Sequence, residues 1–95
     1  MTILGKAKST AQTADPEALA LAALGWVLSD EGRAQRLLAL TGLTPDALRE
    51  GLDDAAVLGA VLEFLTAHEP DLLAAADALG IEPAELARAA SELAP

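Results

Sequence analysis

Apolar residues recur along the chain at spacings of three and four, the period of one face of an α-helix. Near the C-terminus, Leu86, Ala90 and Leu93 form such a stripe. Two other segments, residues 17–28 and 55–65, are apolar on more than one side. A helix that is apolar all round belongs in the interior of a protein. The pattern predicts two central helices with several amphipathic helices around them.

Capping residues and glycines divide this pattern into six helices. The first begins at Asp15-Pro16 and runs to about Ser29, because a polar cap followed by proline favours the first helical turn. The second begins after Ser29 or Asp30 and ends at Gly42, the residue type that a left-handed C-terminal cap requires. The remaining four are predicted to begin at Thr44-Pro45, Asp53-Asp54, Pro70 and Glu82-Pro83, with breaks at Gly51 and Gly80.

The chain also contains an internal repeat. Moving the sequence by 38 residues superimposes Asp15–Leu52 on Asp53–Ala90 with eight identities. We therefore predict an all-α bundle of about six short helices, in which two three-helix repeats, 15–52 and 53–90, are related by a pseudo-two-fold axis. The first and fourth helices pack together at its centre. The predicted core anchors are Trp26, Phe64, Leu24 and Leu62.

Gly25 and Gly59 lie inside the two central helices. A helix-interior glycine costs about 1 kcal/mol relative to alanine. Each glycine either permits a close helix crossing or is an exposed residue without such a role, and the sequence leaves both explanations open.

The composition agrees with a helical domain and excludes several classes of protein. Alanine and leucine dominate the 53% of hydrophobic residues, and tyrosine is absent, so strands are disfavoured. The absence of cysteine excludes disulfide scaffolds and thiolate metal sites. No stretch reaches the roughly 20 apolar residues of a membrane helix, and the N-terminus lacks the apolar core of a secretory signal. We expect a mobile tail over residues 1–14, a single helical domain over 15–95, and a cytoplasmic location.

The net charge is −9, and it is unevenly distributed. Lys6 and Lys8 are the charged residues before Asp15, and all fifteen acidic residues follow from there. Such a surface repels phosphate backbones and anionic membranes, so nucleic-acid and membrane binding are disfavoured. The acidic residues either keep an apolar-rich protein in solution or attract a basic partner.

Few residues are suited to catalysis. His68 is the single histidine and is followed by Glu69 and Asp71 at the predicted junction between the fourth and fifth helices. These residues either form an oxygen-rich metal site or act as loop and capping residues, and their position around a helix-starting proline is typical of capping. Ser9 and Ser29 have no adjacent histidine motif, and there is no Gly-rich phosphate loop. We predict no catalytic, cofactor or metal site.

Residues 79–86 resemble the turn of a helix-turn-helix, a DNA-binding motif, and residues 38–48 repeat the spacing. The second helix of that motif reads bases with Arg, Asn or Gln. Here the corresponding helix offers Arg88 among alanines and acidic residues. DNA binding is therefore a third hypothesis, disfavoured by the net charge.

An apolar patch is expected on the second or the fifth helix, where leucines lie on more than one face. A small domain has a high ratio of surface to volume and leaves apolar area exposed. Arg33 and Arg36 lie on one side of the second helix. They either bind a carboxylate or phosphate group of a ligand, or form ion pairs with neighbours such as Asp30 or Glu31. The predicted interaction surface comprises Leu37, Leu38, Leu40, Leu72, Leu73, Arg33 and Arg36.

Residues 17–28, 37–43 and 61–65 together resemble a bacterial family known as domain of unknown function 3572. The resemblance extends from Asp15 to about Leu93 and depends on apolar residues and glycines. It implies a small cytoplasmic bacterial protein and brings no activity or functional residues. We therefore predict a non-enzymatic protein–protein interaction module that binds a partner protein or a second copy. The alternative is a domain that binds a small apolar ligand between its two halves.

Overall fold

A computed structural model describes residues 15–94, and the regular secondary structure in that range is entirely helical. The predicted all-α class is confirmed, and the tail predicted over residues 1–14 lies outside the described part of the chain. None of these helices is long and apolar enough to cross a membrane. The helices are α1 (Pro16–Leu28), α2 (Glu31–Thr41), α3 (Pro45–Glu50), α4 (Ala55–Thr66), α5 (Glu69–Leu79) and α6 (Pro83–Leu93).

Short polar side chains cap the N-terminal ends of four of these helices. The Oδ2 atom of Asp30 accepts a hydrogen bond from the backbone N–H of Arg33 at 2.9 Å. Such a cap satisfies a donor that has no partner within its own helix. Asp30 and Asp54, and not the residues before them, cap α2 and α4. The complete set of side-chain caps in the described range is Asp15, Asp30, Thr44 and Asp54.

Glycines end α2 and α5 in the left-handed conformation. Gly42 has φ 76° and Gly80 has φ 73°. A residue with a Cβ is destabilised by about 1–2 kcal/mol in this region of backbone conformation. The sequence therefore correctly predicted that α2 and α5 end at Gly42 and Gly80. Glycine is favoured there because a Cβ would be strained in the left-handed conformation.

Gly80→Ala is expected to lower the free energy of unfolding by about 1–2 kcal/mol, because alanine is strained at this φ. Gly25→Ala is the matched control, since a Cβ at Gly25 meets nothing within 4 Å and alanine favours a helix interior. Urea denaturation at low protein concentration should therefore show opposite shifts for the two variants. A Gly80→Ala variant as stable as the unsubstituted protein would contradict this explanation.

The hydrophobic core lies between α1, α4 and α6. Leu62 and Leu65 of α4, Val27 of α1 and Leu86 of α6 are fully buried. Helix α6 packs against both α1 and α4, which also pack against each other. Three helices therefore occupy the centre, whereas the sequence pattern predicted two.

The structure does not confirm the predicted pseudo-two-fold arrangement. In the repeat, α3 corresponds to α6, but α3 has 6 residues and α6 has 11. Helix α6 packs against α1, α4 and α5, whereas α3 makes few contacts with other helices. The helices of the two halves thus begin at corresponding positions to within one residue, but they do not share their packing.

One of the two interior glycines marks a close helix crossing. A Cβ at Gly59 would lie 3.2 Å from the carbonyl oxygen of Leu93, so this glycine lets α4 and α6 approach. Gly25 on α1 faces open space instead. Of the two explanations that the sequence left open, the close crossing therefore applies to Gly59, whereas Gly25 is exposed and no atom of residues 15–94 lies within 4 Å of a Cβ placed there.

Candidate interaction surface on helix α1

From Ala18 onward helix α1 is apolar on all sides, and within the described part of the chain the other helices cover one side of it. Residues 18–29 contain no charged side chain. The covered side consists of Ala20, Ala23, Leu24 and Val27, which are all buried. The opposite side carries exposed residues within one helical face, and we call this set the open face: Ala18, Leu21, Ala22, Gly25 and Leu28.

Two leucines project from the open face. Leu21 is 42% exposed and Leu28 is 49% exposed. They are seven residues apart, which places them two turns apart on the same side of the helix. Gly25 lies between them and leaves a gap. Contiguous exposed apolar patches often serve as interaction sites, so the open face is the candidate considered below.

An apolar groove adjoins the C-terminal end of the open face. It has a volume of about 290 Å³, and Leu28 belongs to both the groove and the open face. Arg49 is the one charged residue in its lining, and its Nη1 atom is 2.8 Å from Oδ1 of Asp46. The sequence predicted a ligand site at the seam between the halves, whereas this groove lies within the first half. Its lining residues are Leu24, Leu28, Leu38, Pro45, Leu48, Arg49 and Leu52.

A positive charge from α2 lies at the C-terminal end of α1. The Arg33 guanidinium lies over the Trp26 ring, 3.7 Å from its centroid. Its Nη2 atom donates hydrogen bonds to the Trp26 carbonyl oxygen at 2.7 Å and to Ser29 Oγ at 3.0 Å. A cation at this position is favoured by the negative end of the helix dipole. Arg33 forms no ion pair with any residue from 15 to 94, so the pairing expected with Asp30 or Glu31 is absent there.

Arg36 belongs to a separate polar cluster that joins α2 to α5. Its Nη2 atom is 2.7 Å from Oδ2 of Asp71, and Nδ1 of His68 is 3.1 Å from the same oxygen. The guanidinium also lies 6.0 Å from the centroid of the Phe64 ring. Ion pairs as exposed as this one contribute about 1 kcal/mol or less. The cluster is a cross-link between helices.

No cluster suited to a metal ion occurs within residues 15–94, where three or more His, Asp or Glu side chains would have to converge. His68 is exposed at the start of α5 and contacts Asp71. The backbone N–H of Asp71 donates to the carbonyl oxygen of His68 at 3.0 Å. These residues therefore shape the junction between α4 and α5.

The predicted interaction surface on α2 and α5 is divided among different environments. Leu37 is fully buried, which removes it from any surface, because it packs into the core. Leu38 lines the groove, and Leu72 is half-buried against the core. Leu40 is 73% exposed, and Leu73 is also exposed. Arg33 and Arg36 are engaged in the contacts described above, so these seven residues do not form one patch.

Of the four predicted core anchors, Trp26 differs from the others. Leu24, Leu62 and Phe64 are buried, whereas Trp26 is half-buried beneath Arg33. Sequence reasoning also missed the open face, because it assigned α1 wholly to the interior. The signal that could have found it is the charge-free stretch of residues 18–29 in an otherwise acidic chain.

Helix α6 follows the turn that resembles a helix-turn-helix, so it corresponds in the sequence to the helix that reads DNA in that motif. Leu86, Ala89 and Ala90 are buried, because α6 packs against α1, α4 and α5. A helix that reads bases presents one exposed face to the groove of DNA. The exposed face of α6 carries Ala84, Ala87, Arg88, Ser91 and Glu92, so one arginine is present among alanines and an acidic residue.

The chain was compared with protein families, curated proteins and solved structures. A family model described as a protein of unknown function (DUF3572) matches residues 13–95. No curated protein and no solved structure matches the chain. The matched range includes all six helices, and with them the open face and the groove.

Proposed function

Because the chain belongs to the DUF3572 family of proteins of unknown function, its function has to be inferred from its own surface, and we propose that it is a non-enzymatic protein–protein interaction module. The open face of α1 is the observation that supports this proposal. The sequence of α1 suits a helix buried on all sides, whereas residues 29–94 cover one side of it. A partner on the open face would remove Leu21 and Leu28 from water.

Burial of these two leucines supplies the driving force for binding. Complete burial of one leucine side chain is worth about 1.5–3 kcal/mol, and both are already about half covered. A few large side chains commonly carry most of the binding free energy of an interface. The acidic residues elsewhere on the surface select against acidic partners, because like charges across an interface are repulsive.

Leu28→Glu is expected to reduce capture of the partner from native lysate by more than about tenfold, because it places a charge in an apolar contact. The measurement is a tagged pull-down at moderate salt, with band stoichiometry read by mass spectrometry. Leu40→Glu is the control, since Leu40 is exposed on α2 and receives the same substitution. Circular dichroism verifies that both variants remain helical. Equal capture by all three proteins would refute the proposal.

A second candidate function is binding of a small apolar molecule in the groove. The supporting observation is a volume of about 290 Å³ lined by six apolar residues and Arg49. Ligand sites occupy roughly 300–1,000 Å³, so this groove fits a small ligand. A medium-chain fatty acid should raise the melting temperature of the protein but not of a Leu38→Trp variant, whose indole fills the groove. No shift in either protein would exclude this ligand class.

A further inference from the structure

We infer that residues 1–14 of the same chain bind along the flank of α1 that borders the groove, where they cover Leu21 and Leu28. Three observations carry this inference: an apolar surface that the described helices leave open, the charge of residues 1–14, and the point at which this segment joins α1. Bound there, the segment competes with a partner for the two leucines. That competition rests on the proposed function, whereas the binding of the segment does not.

One flank of α1 carries a row of side chains that leads into the groove. The row consists of Glu17, Leu21, Leu24 and Leu28, which are spaced four, three and four residues apart and therefore follow one another along the same side of the helix. Leu24 and Leu28 line the groove, so this side is the one that faces α3. Leu21 is 42% exposed one turn closer to the N-terminal end of α1. Leu21 and the groove residues together form a surface that we call the apolar strip.

Helix α3 is too short to cover the apolar strip. In the sequence repeat, Leu21 corresponds to Gly59, which lies against Leu93 of α6 at the close crossing. The residue that corresponds to Leu93 is Ala55, and it already begins α4. The first half therefore has no helical turn that could lie over Leu21, and it has a leucine in place of the glycine that permits the crossing. A cover for the strip has to come from outside residues 15–94.

Residues 1–14 have a composition that suits the apolar strip. Ile3 and Leu4 give the segment an apolar end, and Lys6 and Lys8 are its charged side chains. All fifteen acidic residues lie in the rest of the chain, where four arginines oppose them. A basic segment is attracted to such an acidic body, whereas a second acidic body is repelled. The segment can therefore bring its apolar end to the groove.

Exposed acidic residues next to the apolar strip in the chain provide partners for the two lysines. Glu17 is exposed at the N-terminal end of the row on α1. Asp46, Glu50 and Asp53 are exposed on α3 and just after it, and each directly follows a residue that lines the groove. The Arg49 guanidinium is paired with Asp46 at 2.8 Å, so its repulsion of a basic segment is weakened.

The segment is long enough to run back along α1. Along the helix axis, Leu24 and Leu28 lie about 10 and 17 Å from Glu17. An extended chain rises about 3.3 Å per residue, so the four residues from Lys8 to Leu4 cover about 13 Å. Lys8 beside Glu17 therefore places Leu4 at the groove. The residues between Lys8 and α1 form the connection in which the chain reverses its direction.

Because the segment and the apolar strip belong to one chain, a weak contact between them is sufficient. Two parts of a chain joined by a short flexible connection meet at an effective concentration of about millimolar. A contact too weak to form between separate molecules at micromolar concentration is then formed most of the time. The sequence pattern alone predicted a mobile tail over residues 1–14, and the inference replaces it with a bound segment that a partner can displace.

A nitroxide label on the Ala7→Cys variant of the full chain tests the binding, because the chain contains no cysteine of its own. The unpaired electron of the label broadens the NMR signals of nearby backbone amides. We expect selective broadening of the amide signals of Leu24, Leu28 and Leu52, which all line the groove. Broadening spread evenly over the exposed amides of all six helices would overturn the inference.

Uncharged substitutions within the segment test its apolar end in the labelled protein. Ile3→Ser with Leu4→Ser is expected to reduce the selective broadening at least about fivefold, because two apolar side chains no longer enter the groove. Thr10→Ser with Ala11→Ser is the control, since it changes two residues of the connection and keeps the charge. Equal broadening in the two double variants would overturn the inference.

A matched pair of substitutions tests the groove side of the contact. Leu28→Gln is expected to reduce the selective broadening, because it removes an apolar contact without adding a charge that attracts the lysines. Leu40→Gln on α2 is the control, since this leucine is 73% exposed. Circular dichroism verifies that both variants remain helical. Broadening that is unchanged in Leu28→Gln would place the segment elsewhere and overturn the inference.

The salt dependence of the broadening tests the charge match. Raising the salt concentration from about 0.05 M to about 0.5 M should reduce the broadening, because salt screens the attraction between the lysines and the acidic body. Lys6→Gln with Lys8→Gln should broaden the groove signals less at low salt and should respond little to salt. Broadening that is identical in both proteins at every salt concentration would overturn the proposed placement of the segment.

Capture of a partner from lysate separates this inference from the proposed function. Ile3→Ser with Leu4→Ser should raise capture at least about threefold, because the apparent affinity rises with the fraction of uncovered protein. Unchanged capture would overturn the competition. Selective broadening with capture that Leu28→Glu does not affect supports the bound segment and refutes the proposed partner. Capture that depends on Leu28 without selective broadening overturns the inference and leaves the proposed function. A mass that rises with concentration, but not in Leu28→Gln, would place a second copy on the strip and also overturn the inference.

Discussion

Leu86→Ala is expected to lower the free energy of unfolding by about 2–5 kcal/mol. Leu86 is fully buried on α6, the helix that packs against α1, α4 and α5. The substitution removes buried carbon atoms and leaves a cavity, because the surrounding helices relax only in part. Since small domains are stable by roughly 5–15 kcal/mol, this loss is a large fraction of the total.

Two leucine variants provide the controls for this prediction in urea denaturation. Leu40→Ala should change stability by less than about 0.5 kcal/mol, because Leu40 is 73% exposed. Leu48→Ala is more informative, since Leu48 corresponds to Leu86 in the sequence repeat. Leu48 lines the open groove on α3, so its loss should cost less than that of Leu86. Equal costs would argue for the symmetric arrangement that the structure does not confirm.

Arg33→Ala is expected to lower the free energy of unfolding by about 2–4 kcal/mol. The variant loses a hydrogen bond from a charged group to the Trp26 carbonyl oxygen, worth about 1.5–3 kcal/mol. It also loses the stacking of the guanidinium on the Trp26 ring, worth about 0.5–1 kcal/mol at a partly exposed site. Both contacts hold the C-terminal end of α1 against the start of α2.

Arg33→Lys separates geometry from charge. Lysine keeps the positive charge but has no planar fork that can stack on the ring while donating to the carbonyl and hydroxyl oxygens. We therefore expect Arg33→Lys to lose more than half of the stability that Arg33→Ala loses. Arg36→Ala is the control, because its exposed pair with Asp71 should contribute about 1 kcal/mol or less. An Arg33→Lys variant as stable as the unsubstituted protein would show that charge alone accounts for the effect.

Protein concentration has to be controlled in both sets of measurements. Self-association stabilises the folded state by mass action, so a dimer adds to the apparent stability as concentration rises. Denaturation at a concentration where the protein is monomeric reports the fold alone. A stability that rises with concentration would report self-association, and a rise that vanishes in Leu21→Glu would place the contact on α1.

The sequence by itself determined the helices and their boundaries. These depend on local chemistry, since a cap such as Asp30 bonds to a backbone N–H three residues away. Gly42 and Gly80 end their helices because of the conformation of their own backbone. The apolar spacing also identified Leu24, Leu62 and Phe64 as core residues. None of these features requires knowledge of how the helices are arranged.

Only the tertiary structure decided which apolar faces are covered. The sequence repeat suggested equivalent roles for α3 and α6, but the length and packing of α6 place it at the centre with α1 and α4. Leu37 became a core residue, whereas Leu21 and Leu28 remained exposed. The burial of an apolar side chain depends on which helix lies against it, and that is set by contacts between residues distant in the chain. An apolar pattern on α1 therefore indicated a helix suited to burial but not which of its sides the other described helices cover.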